Sequence, residues 1–389
     1  MKHVAITGRQ GALSVAELEA IFGHQNIMPV SDEAVLVASN SLKELAPSLG
    51  GTIKFAKILT EISSKNWRDL EAYLTKNVLM YLSLLPEGKL TFGISTYGIN
   101  VTPARINATA LGLKKLVRNS GRSARIVPNK ENALNSAQVL YNKLTSEKGW
   151  ELIFVGTDRG STILAQTVYE QDIDAYAARD QQRPARDARV GMLPPKLAQT
   201  IINLSEANTG QTLLDPFCGT GVLLQEALLM KMNVIGTDLE PKMIEYSQKN
   251  LDWLSAKTEI TNKISLKVAD ATSATIDPGV NVIACETYLG RALTSLPDQE
   301  SLHKITQDCN TIHKKFLQNI ARQTAPGFRM CIAVPAWKTK NGFKHLPVLD
   351  HLEELGYNRI SFVHVETKDL IYHRKDQIVA RELVVLIRS

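Results

Sequence analysis

The chain has 389 residues, of which 44% are hydrophobic and 22% are charged. This length suits two or three domains of about 100–200 residues each, and the composition is that of an ordinary globular protein. No apolar run approaches the roughly 18 to 20 residues needed to span a bilayer, so no membrane partner is expected. The net charge of +6 favours a polyanionic partner only where the basic residues are clustered.

The amino terminus and the cysteines indicate a compartment. The first eight residues are too short and too soon polar for a secretory signal peptide. The four cysteines show no paired spacing for a zinc site or a disulfide framework. We therefore predict no metal site and expect a reducing cytoplasm.

Residues 1–60 are predicted to form a small α+β region of ferredoxin-like type. Strands are predicted at 4–8, 34–38 and 49–58, and helices at 13–22 and 42–49. Ser14 and Glu17 have the spacing of a helix capping box, and Gly23 is placed to end the first helix. No catalytic constellation occurs here, so we favour a folding and positioning role.

Residues 61–172 contain a run of positive charge. Helices are predicted at 67–84 and 104–119, and strands at 90–98, 151–155 and 161–168. Between positions 105 and 125 the chain carries six basic residues and no acid: Arg105, Lys114, Lys115, Arg118, Arg122 and Arg125. Such a run is usually a solvated helix face. Because the local charge has one sign, we favour a surface that binds RNA phosphates.

Residues 173–194 are predicted to form a linker. Its arginines are Arg179, Arg183, Arg186 and Arg189, and acids are interspersed among them. Pro184 breaks any helix there, and a new helix is expected to begin at Pro194 and Pro195. A phosphate-binding segment and a solvated linker fit the arginines equally well, because the acids partly neutralise them.

Residues 195–389 alternate helices and strands in the order of a doubly wound α/β sheet. Strands are predicted at 212–215, 233–237, 264–268, 280–284, 328–334, 359–365 and 379–387, the last two as an antiparallel pair. Helices are predicted at 195–207, 220–230, 241–254, 299–323 and 347–355. The ligand site of such a sheet lies at the carboxyl ends of its central strands. Four acids occupy such ends: Asp215, Asp238, Asp270 and Glu286.

The segment 212–224 organises this domain. Its apolar run ends in Asp-Pro-Phe-Cys-Gly-Thr-Gly, residues 215–221, which predicts a buried strand, a tight turn and a helix. The glycines let the backbone approach a ligand, and amides at a helix end suit a carboxylate. A second apolar run ends at Asp238, where an acid suits the paired hydroxyls of a ribose. A strand-turn-helix unit without a ligand is the alternative.

The segment 215–221 resembles motif I of S-adenosylmethionine-dependent methyltransferases, in the form used by nucleic-acid amino-methylases. Phe92-Gly93-Ile94-Ser95, the basic helix and the following strand pair resemble a THUMP domain, an RNA-binding module of tRNA-modifying enzymes. The whole chain is similar to the Trm11/Trm-G10 family of THUMP-domain tRNA (guanosine-N2) methyltransferases. Those enzymes methylate the exocyclic N2 of a guanosine in the acceptor–D-arm region, conventionally position 10.

The resemblance implies a Rossmann-like methyltransferase domain, with S-adenosyl-L-methionine as cofactor and tRNA as partner. Gly219 and Gly221 would make room for the methionine moiety, and Asp215 would accept from its ammonium. Asp238 would hold the ribose hydroxyls, and Asp270 would accept from the adenine amino group. The predicted cofactor-binding residues are Pro194, Asp215, Pro216, Phe217, Cys218, Gly219, Gly221, Asp238, Leu239, Asp270 and Ala271. Surface acids at strand ends are the alternative interpretation.

The fourth motif departs from the family pattern, which is usually Asp-Pro-Pro-Tyr-Gly. Residues 284–290 are Ala-Cys-Glu-Thr-Tyr-Leu-Gly. Alignment on Tyr288 places Cys285 where the family has Asp, and Glu286 one position later. Glu286 is predicted to accept from the target amine or to take its proton, and Tyr288 to stack on the extruded base. A nucleophilic Cys285 is disfavoured, because amino methylation needs no covalent step.

Two later segments add candidate RNA contacts. Residues 372–382 resemble the family segment before the last strand, in which Arg374 and Arg381 would meet phosphate or fix the active-site loop. The segment 337–343 interleaves basic and aromatic residues. An ordinary mobile loop is favoured there over an RNA-facing loop.

Three functions stay open at this point. The first is methylation of guanosine N2 in tRNA without a metal. The second is an RNA- and cofactor-binding protein that does not turn over, because the fourth motif is altered. The third is a methyltransferase for another RNA position or a small molecule, although a small molecule would need no THUMP-like region. A monomer or weak homo-oligomer is expected, and the need for a small activating subunit is open.

Overall fold

The computed structural model describes residues 2–187, 192–291, 293, 295, 297–340, 342–375 and 377–389. Arg189 of the predicted linker lies outside these residues. The chain divides into two compact units. Unit 1 comprises Met1–Val15, Phe22–Pro47 and Gly51–Ala175, and unit 2 comprises Ala16–Ile21, Ser48–Gly50 and Tyr176–Ser389. Among the described residues, no helix is both long enough and apolar enough to cross a membrane.

Unit 1 is built on an eight-stranded sheet. Its elements are β1 (Lys2–Thr7), α1 (Gly11–Phe22, of which Ala16–Ile21 belong to unit 2), β2 (Ile27–Ser31), β3 (Ala34–Ala38), α2 (Leu42–Leu45), β4 (Thr52–Ile62), α3 (Trp67–Leu82), β5 (Leu90–Tyr97), α4 (Pro103–Asn119), β6 (Ala124–Ile126), α5 (Ser136–Tyr141), β7 (Gly149–Gly156) and β8 (Thr162–Glu170). The strand order is β2-β3-β1-β4-β8-β7-β5-β6. Strand β5 runs parallel to β6 and β7, whereas the remaining neighbours pair antiparallel. Assignment of residues 61–172 to a THUMP domain stays a prediction, as does the boundary between residues 1–60 and 61–172.

Helix α4 presents the predicted basic face. The side chain of Thr102 caps it, and Pro103 occupies its first turn, where a missing N–H costs nothing. The inward side is apolar at helical spacing, through Ile106, Ala110, Leu113 and Val117. The basic residues of the last turns therefore lie on the opposite, solvent-facing side.

Unit 2 is built on a nine-stranded sheet. From Tyr176 onward its elements are α6 (Ile173–Gln181, beginning in unit 1), α7 (Pro195–Leu204), β9 (Thr212–Asp215), α8 (Val222–Leu229), β10 (Asn233–Asp238), α9 (Pro241–Ser255), β11 (Ile264–Val268), β12 (Val282–Glu286), α10 (Gln299–Gln323), β13 (Arg329–Thr339), β14 (Gly342–Lys344), β15 (Tyr357–Arg359), β16 (Ile371–Tyr372) and β17 (Val379–Arg388). The order is β11-β10-β9-β12-β13-β17-β15, with β14 paired to β13 and β16 to β17.

The direction of the strands fixes the edge at which a ligand site can form. Strands β9 to β13 are mutually parallel, whereas β17 runs antiparallel to β13 and β15. Strand β12 is buried at Val282, Ile283, Ala284 and Cys285, as expected for a parallel strand covered on both faces. The predicted doubly wound sheet with an antiparallel terminal pair is confirmed.

Two predicted elements of unit 2 are wrong. The expected helix at 347–355 is two short 3₁₀ turns, Pro347–His351 and Glu353–Leu355. The expected strand at 359–365 is confined to Tyr357–Arg359. The backbone amides of Val363 and His364 donate to the carboxylate of Glu19 at 2.6 and 3.0 Å. They are therefore not available for a strand ladder.

The predicted capping box is also wrong. Helix α1 begins at Gly11, so Ser14 lies inside the helix and its hydroxyl donates to the Gly51 carbonyl at 2.6 Å. Glu17 is fully buried and accepts from the side-chain amide of Asn203 at 2.7 Å. Gly23 follows the helix with φ of 81°, which agrees with its predicted role as a helix terminator.

The predicted linker is tied to helices α7 and α8 by polar contacts. Arg179 Nε forms an ion pair with Glu226 Oε1 at 2.6 Å, and Gln199 donates to the other carboxylate oxygen at 3.0 Å. The hydroxyl of Tyr176 donates to Gln199 at 2.6 Å. Glu226 is fully buried on α8, and these donors compensate its charge. A freely solvated linker does not fit this segment.

Candidate active site

A cavity of about 770 Å³ opens at the carboxyl ends of the parallel strands of unit 2. Strand β9 ends at Asp215, β10 at Asp238 and β12 at Glu286. Asp270 follows β11 by two residues. Leu193 and residues from 215–223, 238–243, 269–272, 286–291 and 311–315 line the cavity. The sheet topology thus brings the four predicted acids to one site, as the strand-end argument predicts.

The two glycines of motif I have different structural roles. Gly219 has φ of 52°, and a Cβ there would meet only the Phe217 carbonyl oxygen at 4.0 Å, so it would project into open space. Gly221 has φ of 78° and precedes α8. A Cβ at Gly221 would lie 2.9 Å from Ser247 Oγ of α9. Gly219 therefore keeps cavity space free, whereas Gly221 lets two helices approach and does not line the cavity.

Asp238 fixes the glycine turn. Its two carboxylate oxygens accept from the backbone N–H groups of Gly219 at 2.9 Å and Glu240 at 3.0 Å. Ser247 donates to the Gly219 carbonyl at 2.8 Å, which holds the turn from the other side. The turn is therefore set by a carboxylate that also faces the cavity.

Asp215 is the most buried acid of the site, with 2% of its surface exposed. Burial raises the pKa of Asp215 well above its ordinary value, the N–H of Phe217 opposes this shift, and the carboxylates of Asp238 and Glu286 add to it. These neighbours disfavour a second and third negative charge in the cavity. A cation bound there would relieve this repulsion.

The remaining predicted cofactor residues differ in position. Pro216, Phe217, Cys218, Leu239, Asp270 and Ala271 line the cavity. Leu239 is 64% exposed, which suits an apolar side chain that covers a ligand. The Asp270 carboxylate accepts from the N–H and hydroxyl of Thr272, both at 2.8 Å. Pro194 does not line the cavity, whereas its neighbour Leu193 does.

The fourth motif points Glu286 into the cavity. Arg381 Nε donates to Glu286 Oε1 in a short ion pair. Burial raises the pKa of Glu286 above its ordinary value, and Arg381 opposes that shift. Cys285 is fully buried behind Glu286 and its thiol pKa is raised well above the ordinary value, chiefly by burial. Cys285 therefore lacks the thiolate character that a nucleophile needs.

The loop after β12 is anchored without the two prolines of the family pattern. Thr287 donates its N–H to the Ala333 carbonyl at 3.0 Å, and its hydroxyl lies 2.6 Å from His313 Nε2. His313 Nδ1 lies 2.7 Å from the Cys309 carbonyl, to which only an N–H can bond. The next residue, Tyr288, lines the cavity with 43% of its surface exposed. A buried hydrogen-bond chain thus holds the loop that presents Tyr288.

Several residues that line the cavity carry no signal in the sequence. Leu193, Met243, Arg291, Ile312 and Lys315 line the cavity, and the last two come from α10. Ile312 and Lys315 are three positions apart on one helix face. That spacing alone does not identify a ligand site, and only the packing of α10 beside the strand ends shows it. Among the described residues, no group of three or more His, Cys, Asp or Glu side chains can hold a metal ion.

The predicted RNA-binding residues do not form one uniform set. Lys115, Arg118 and Arg186 are exposed. Arg105 forms an ion pair with Glu71, and Arg125 donates to Asn142 at 3.0 Å. Lys114 is half-buried, as is Arg374, which donates to the Tyr372 hydroxyl at 3.1 Å. Arg105 and Arg125 each use a terminal guanidinium nitrogen in these contacts.

Two of these predictions need correction. Arg183 is only 2% exposed, so its guanidinium cannot take part in a phosphate-binding surface. Arg122 donates to the carbonyl oxygens of Leu82, Pro86 and Gly88 at 3.3, 2.6 and 2.8 Å. These contacts give Arg122 a structural role, because it closes the end of α3 onto the following loop.

Comparison with known proteins assigns the class of the second unit. Residues 183–343 match the RMKL-like UPF0020 family of methyltransferase domains. The fold of the whole chain resembles the crystal structure of TrmN from Thermus thermophilus, with a TM-score of 0.55 and 17% identity over 100% of both chains. It also resembles SMU.472 complexed with SAH, with a TM-score of 0.53 and 14% identity over 100% of this chain and 97% of that one. The fold and the cavity define a Rossmann-like methyltransferase domain.

The chain is also similar to curated proteins that share one name. The chain is 29% identical over 201 residues to the tRNA (guanine(10)-N2)-dimethyltransferase of Methanothermobacter thermautotrophicus, across 50% of this chain and 53% of that protein. It is 36% identical over 115 residues to the enzyme of the same name from Pyrococcus abyssi, across 29% of this chain and 33% of that protein. The chain thus spans about half the length of the first of these relatives and about a third of the second. Together with the UPF0020 match over residues 183–343, these similarities confirm the resemblance to tRNA guanosine-N2 methyltransferases that the sequence predicts.

Proposed function

We propose that this protein transfers a methyl group from S-adenosyl-L-methionine to the exocyclic N2 of a guanosine in tRNA, in the region of position 10. The observation that carries the proposal is the shared cavity. The Gly219 turn, the Asp238 carboxylate and the Glu286 carboxylate all line it. A donor site and an acceptor for an amine are therefore brought together.

The residues present fit the methyl donor. Gly219 leaves open space where a side chain would project, and Asp238 supplies carboxylate oxygens at the end of β10. The cavity of about 770 Å³ falls within the usual size of small-molecule sites, which is roughly 300–1,000 Å³. Its acids favour a positively charged ligand. When bound, the sulfonium supplies an activated methyl group.

The chain's own residues supply the acceptor side of the reaction. The N2 lone pair of guanine is delocalised into the ring, so the amine is a weak nucleophile that must be oriented and relieved of a proton. Glu286 accepts a hydrogen bond from the amine and takes up its proton. Tyr288, exposed at the cavity, stacks on the base after it leaves its helical stack.

The basic face of α4 supports tRNA as the substrate. Lys115 and Arg118 are exposed there and face no acid from their own helix. Relatives that match half of this chain or less are named tRNA (guanine(10)-N2)-dimethyltransferases. We assign residues 1–60 to an amino-terminal α+β region, 61–172 to a THUMP domain, 173–194 to a linker and 195–389 to a Rossmann-like methyltransferase domain. We further propose that the protein is a monomer or weak homo-oligomer in a reducing cytoplasm. Adding cell extract to the assay tests whether an activating subunit is needed.

The test is transfer of labelled methyl groups to bulk tRNA that lacks the modification. Wild-type protein is compared with Glu286→Gln, which keeps the shape but cannot take a proton, and nuclease mapping identifies the methylated nucleotide. We expect wild-type label in guanosine and a loss of about 100-fold or more in the variant. No label in any RNA, with and without cell extract, would overturn the proposal.

A binding protein without turnover is the second candidate. It is favoured by the fourth motif, in which Asp and both prolines are absent and Glu286 is already bonded to Arg381. In that case, calorimetry would detect binding of S-adenosylmethionine and tRNA while no RNA gained label. Label at a base other than guanosine would instead indicate a methyltransferase for another RNA position.

A further inference from the structure

We infer that Arg381 is a positioning residue for Glu286, which holds one carboxylate oxygen so that the other faces the target amine. This inference rests on the proposed function and deepens it, because it assigns how the altered fourth motif is made competent. Arg381 does not line the cavity, whereas Glu286 does. Arg381 therefore acts through the carboxylate.

The strand register explains how the two side chains meet. Glu286 on β12 is opposite Ala333 on β13, and Arg381 on β17 is opposite Pro335 on β13. Positions 333 and 335 lie on the same face of β13, because side chains alternate along a strand. Arg381 thus reaches across β13 over Ala333 and Pro335 to meet Glu286. Longer side chains at these two positions would block the contact.

Burial strengthens the interaction between Arg381 and Glu286. The side chain of Arg381 is 5% exposed and that of Glu286 is 14% exposed. A charge-assisted hydrogen bond in such surroundings is little screened by water. With its Nε bonded to Oε1, the guanidinium holds one oxygen of the carboxylate. Because Glu286 lines the cavity, its other oxygen, Oε2, is assigned to the incoming N–H.

The positive charge of Arg381 offsets part of the negative charge around Glu286. Asp215 on β9 is close enough for the Glu286 charge to help raise its pKa, and Asp238 adds a third carboxylate. The Arg381 guanidinium lies 6.0 Å from the ring centre of Tyr372 on β16. Other titratable or charged groups near the pair or in the same cavity include Asp270, Tyr288, Arg291, Lys315, Cys285, Cys331 and Arg374. Without Arg381, ionised Glu286 would lose its ion-pair partner while Asp215 stays nearby.

The first test is the pH dependence of single-turnover methylation of tRNA. The variants are Arg381→Met, which removes the charge, and Arg381→Lys, which keeps it. For Arg381→Met we expect at least a tenfold lower rate at neutral pH. We also expect the acid limb of the profile to move upward by about 1 to 3 pH units, with recovery at high pH. In Arg381→Lys the acid limb should return most of the way to its wild-type pH.

A matched control is Arg359→Met. Arg359 forms an ion pair with Glu382 at 2.8 Å and its side chain is 23% exposed, so its removal breaks an ion pair in the same sheet without touching Glu286. Its acid limb should stay at the wild-type pH. A uniform rate loss in Arg381→Met without a shifted limb would indicate a merely structural role and would overturn the inference.

A second readout does not require turnover. Carbon-13 NMR follows the side-chain carboxyl carbons of labelled glutamates, and the Glu286 resonance is assigned by its loss in Glu286→Gln. In Arg381→Met the Glu286 titration should move to higher pH. An unmoved titration would overturn the inference even if the enzyme is active. A moved titration in a protein that methylates no RNA would support the ion-pair role while overturning the proposed function.

Discussion

Gly219 donates its backbone N–H to Oδ2 of Asp238 at 2.9 Å. The carboxylate at the end of β10 therefore holds the turn that follows the neighbouring strand β9. Because Asp238 lines the cavity, a ligand that bonds to its carboxylate meets a group that two backbone N–H groups already hold in place. This arrangement is preorganised, since the acceptor does not need to be ordered when the ligand arrives.

Replacing Asp238 by Ala should weaken the binding of S-adenosylhomocysteine by about 10- to 100-fold, because charge-assisted hydrogen bonds contribute roughly 1.5–3 kcal/mol. Calorimetry on folded protein measures this change. The control is Asp277→Ala, which removes an exposed acid that accepts from the Gly279 N–H at 2.9 Å in a comparable turn. Equal affinity in wild type and Asp238→Ala would contradict the assigned role.

The glycine pair of motif I should separate stability from ligand binding. Gly221→Ala should lower the free energy of unfolding by about 2–3 kcal/mol, through left-handed strain and a close approach to Ser247. Gly219→Ala should cost roughly 1 kcal/mol, because its Cβ meets open space, but should weaken cofactor binding. Urea unfolding and calorimetry measure the two effects. The opposite ranking of the two variants in stability would refute this division.

Buried His313 should make unit 2 sensitive to acid. Burial lowers its pKa from 6.5 to about 4. Between these values the unfolded chain binds the proton that the folded protein excludes, so this contribution to stability is lost as the pH falls. Between pH 7.5 and pH 5 the loss should be about 2 kcal/mol. His313→Gln should remove it.

The comparison of wild type with His313→Gln is needed because other buried groups titrate. Burial raises the pKa values of Asp215, Glu226 and Glu286, and these shifts favour the folded state as the pH falls. The difference between the two urea midpoints, measured at each pH, isolates His313. A pH-independent difference would show that His313 is not excluded from protonation.

Residues Lys115 and Arg118 should contribute to tRNA affinity in a salt-dependent manner. Replacing both by Ala should reduce the slope of log affinity against log salt by about 2, because two phosphates would no longer be neutralised by the protein. Arg122→Ala should instead lower the melting temperature of unit 1, because it removes three bonds to backbone carbonyls. Filter binding across salt concentrations and thermal unfolding test the pair. An unchanged salt slope in the double variant would exclude this face.

The parallel part of the fold was predictable because its signals are local. Asp215 and Asp238 each end an apolar run that is followed by a helix beginning within a few residues, so chain order alone places both acids at one sheet edge. The strand predicted at 359–365 fails for the opposite reason. The amides of Val363 and His364 are satisfied by Glu19, which is about 344 positions away, and no local pattern contains that partner.

Prediction of the site from local sequence patterns is limited in the same way. The sequence identifies Glu286 as a candidate because it follows a strand, but its partner Arg381 is 95 positions away and meets it across an intervening strand. Charge patterning also misjudged Arg183, because composition does not report burial. Lys315 has no signal of its own and enters the site only through the packing of α10.

The hydrogen bonds of Tyr176 and Arg179 bear on how the protein can be divided for experiments. A fragment that starts at Pro195 would remove the arginine partner of Glu226 and a hydroxyl donor to Gln199, and loss of one partner of a buried ion pair costs about 3–5 kcal/mol. Starting at Tyr176 would still remove Glu17 from Asn203. Poor expression of such an excised piece would therefore reflect missing counter-charges, and activity assays belong with the intact polypeptide.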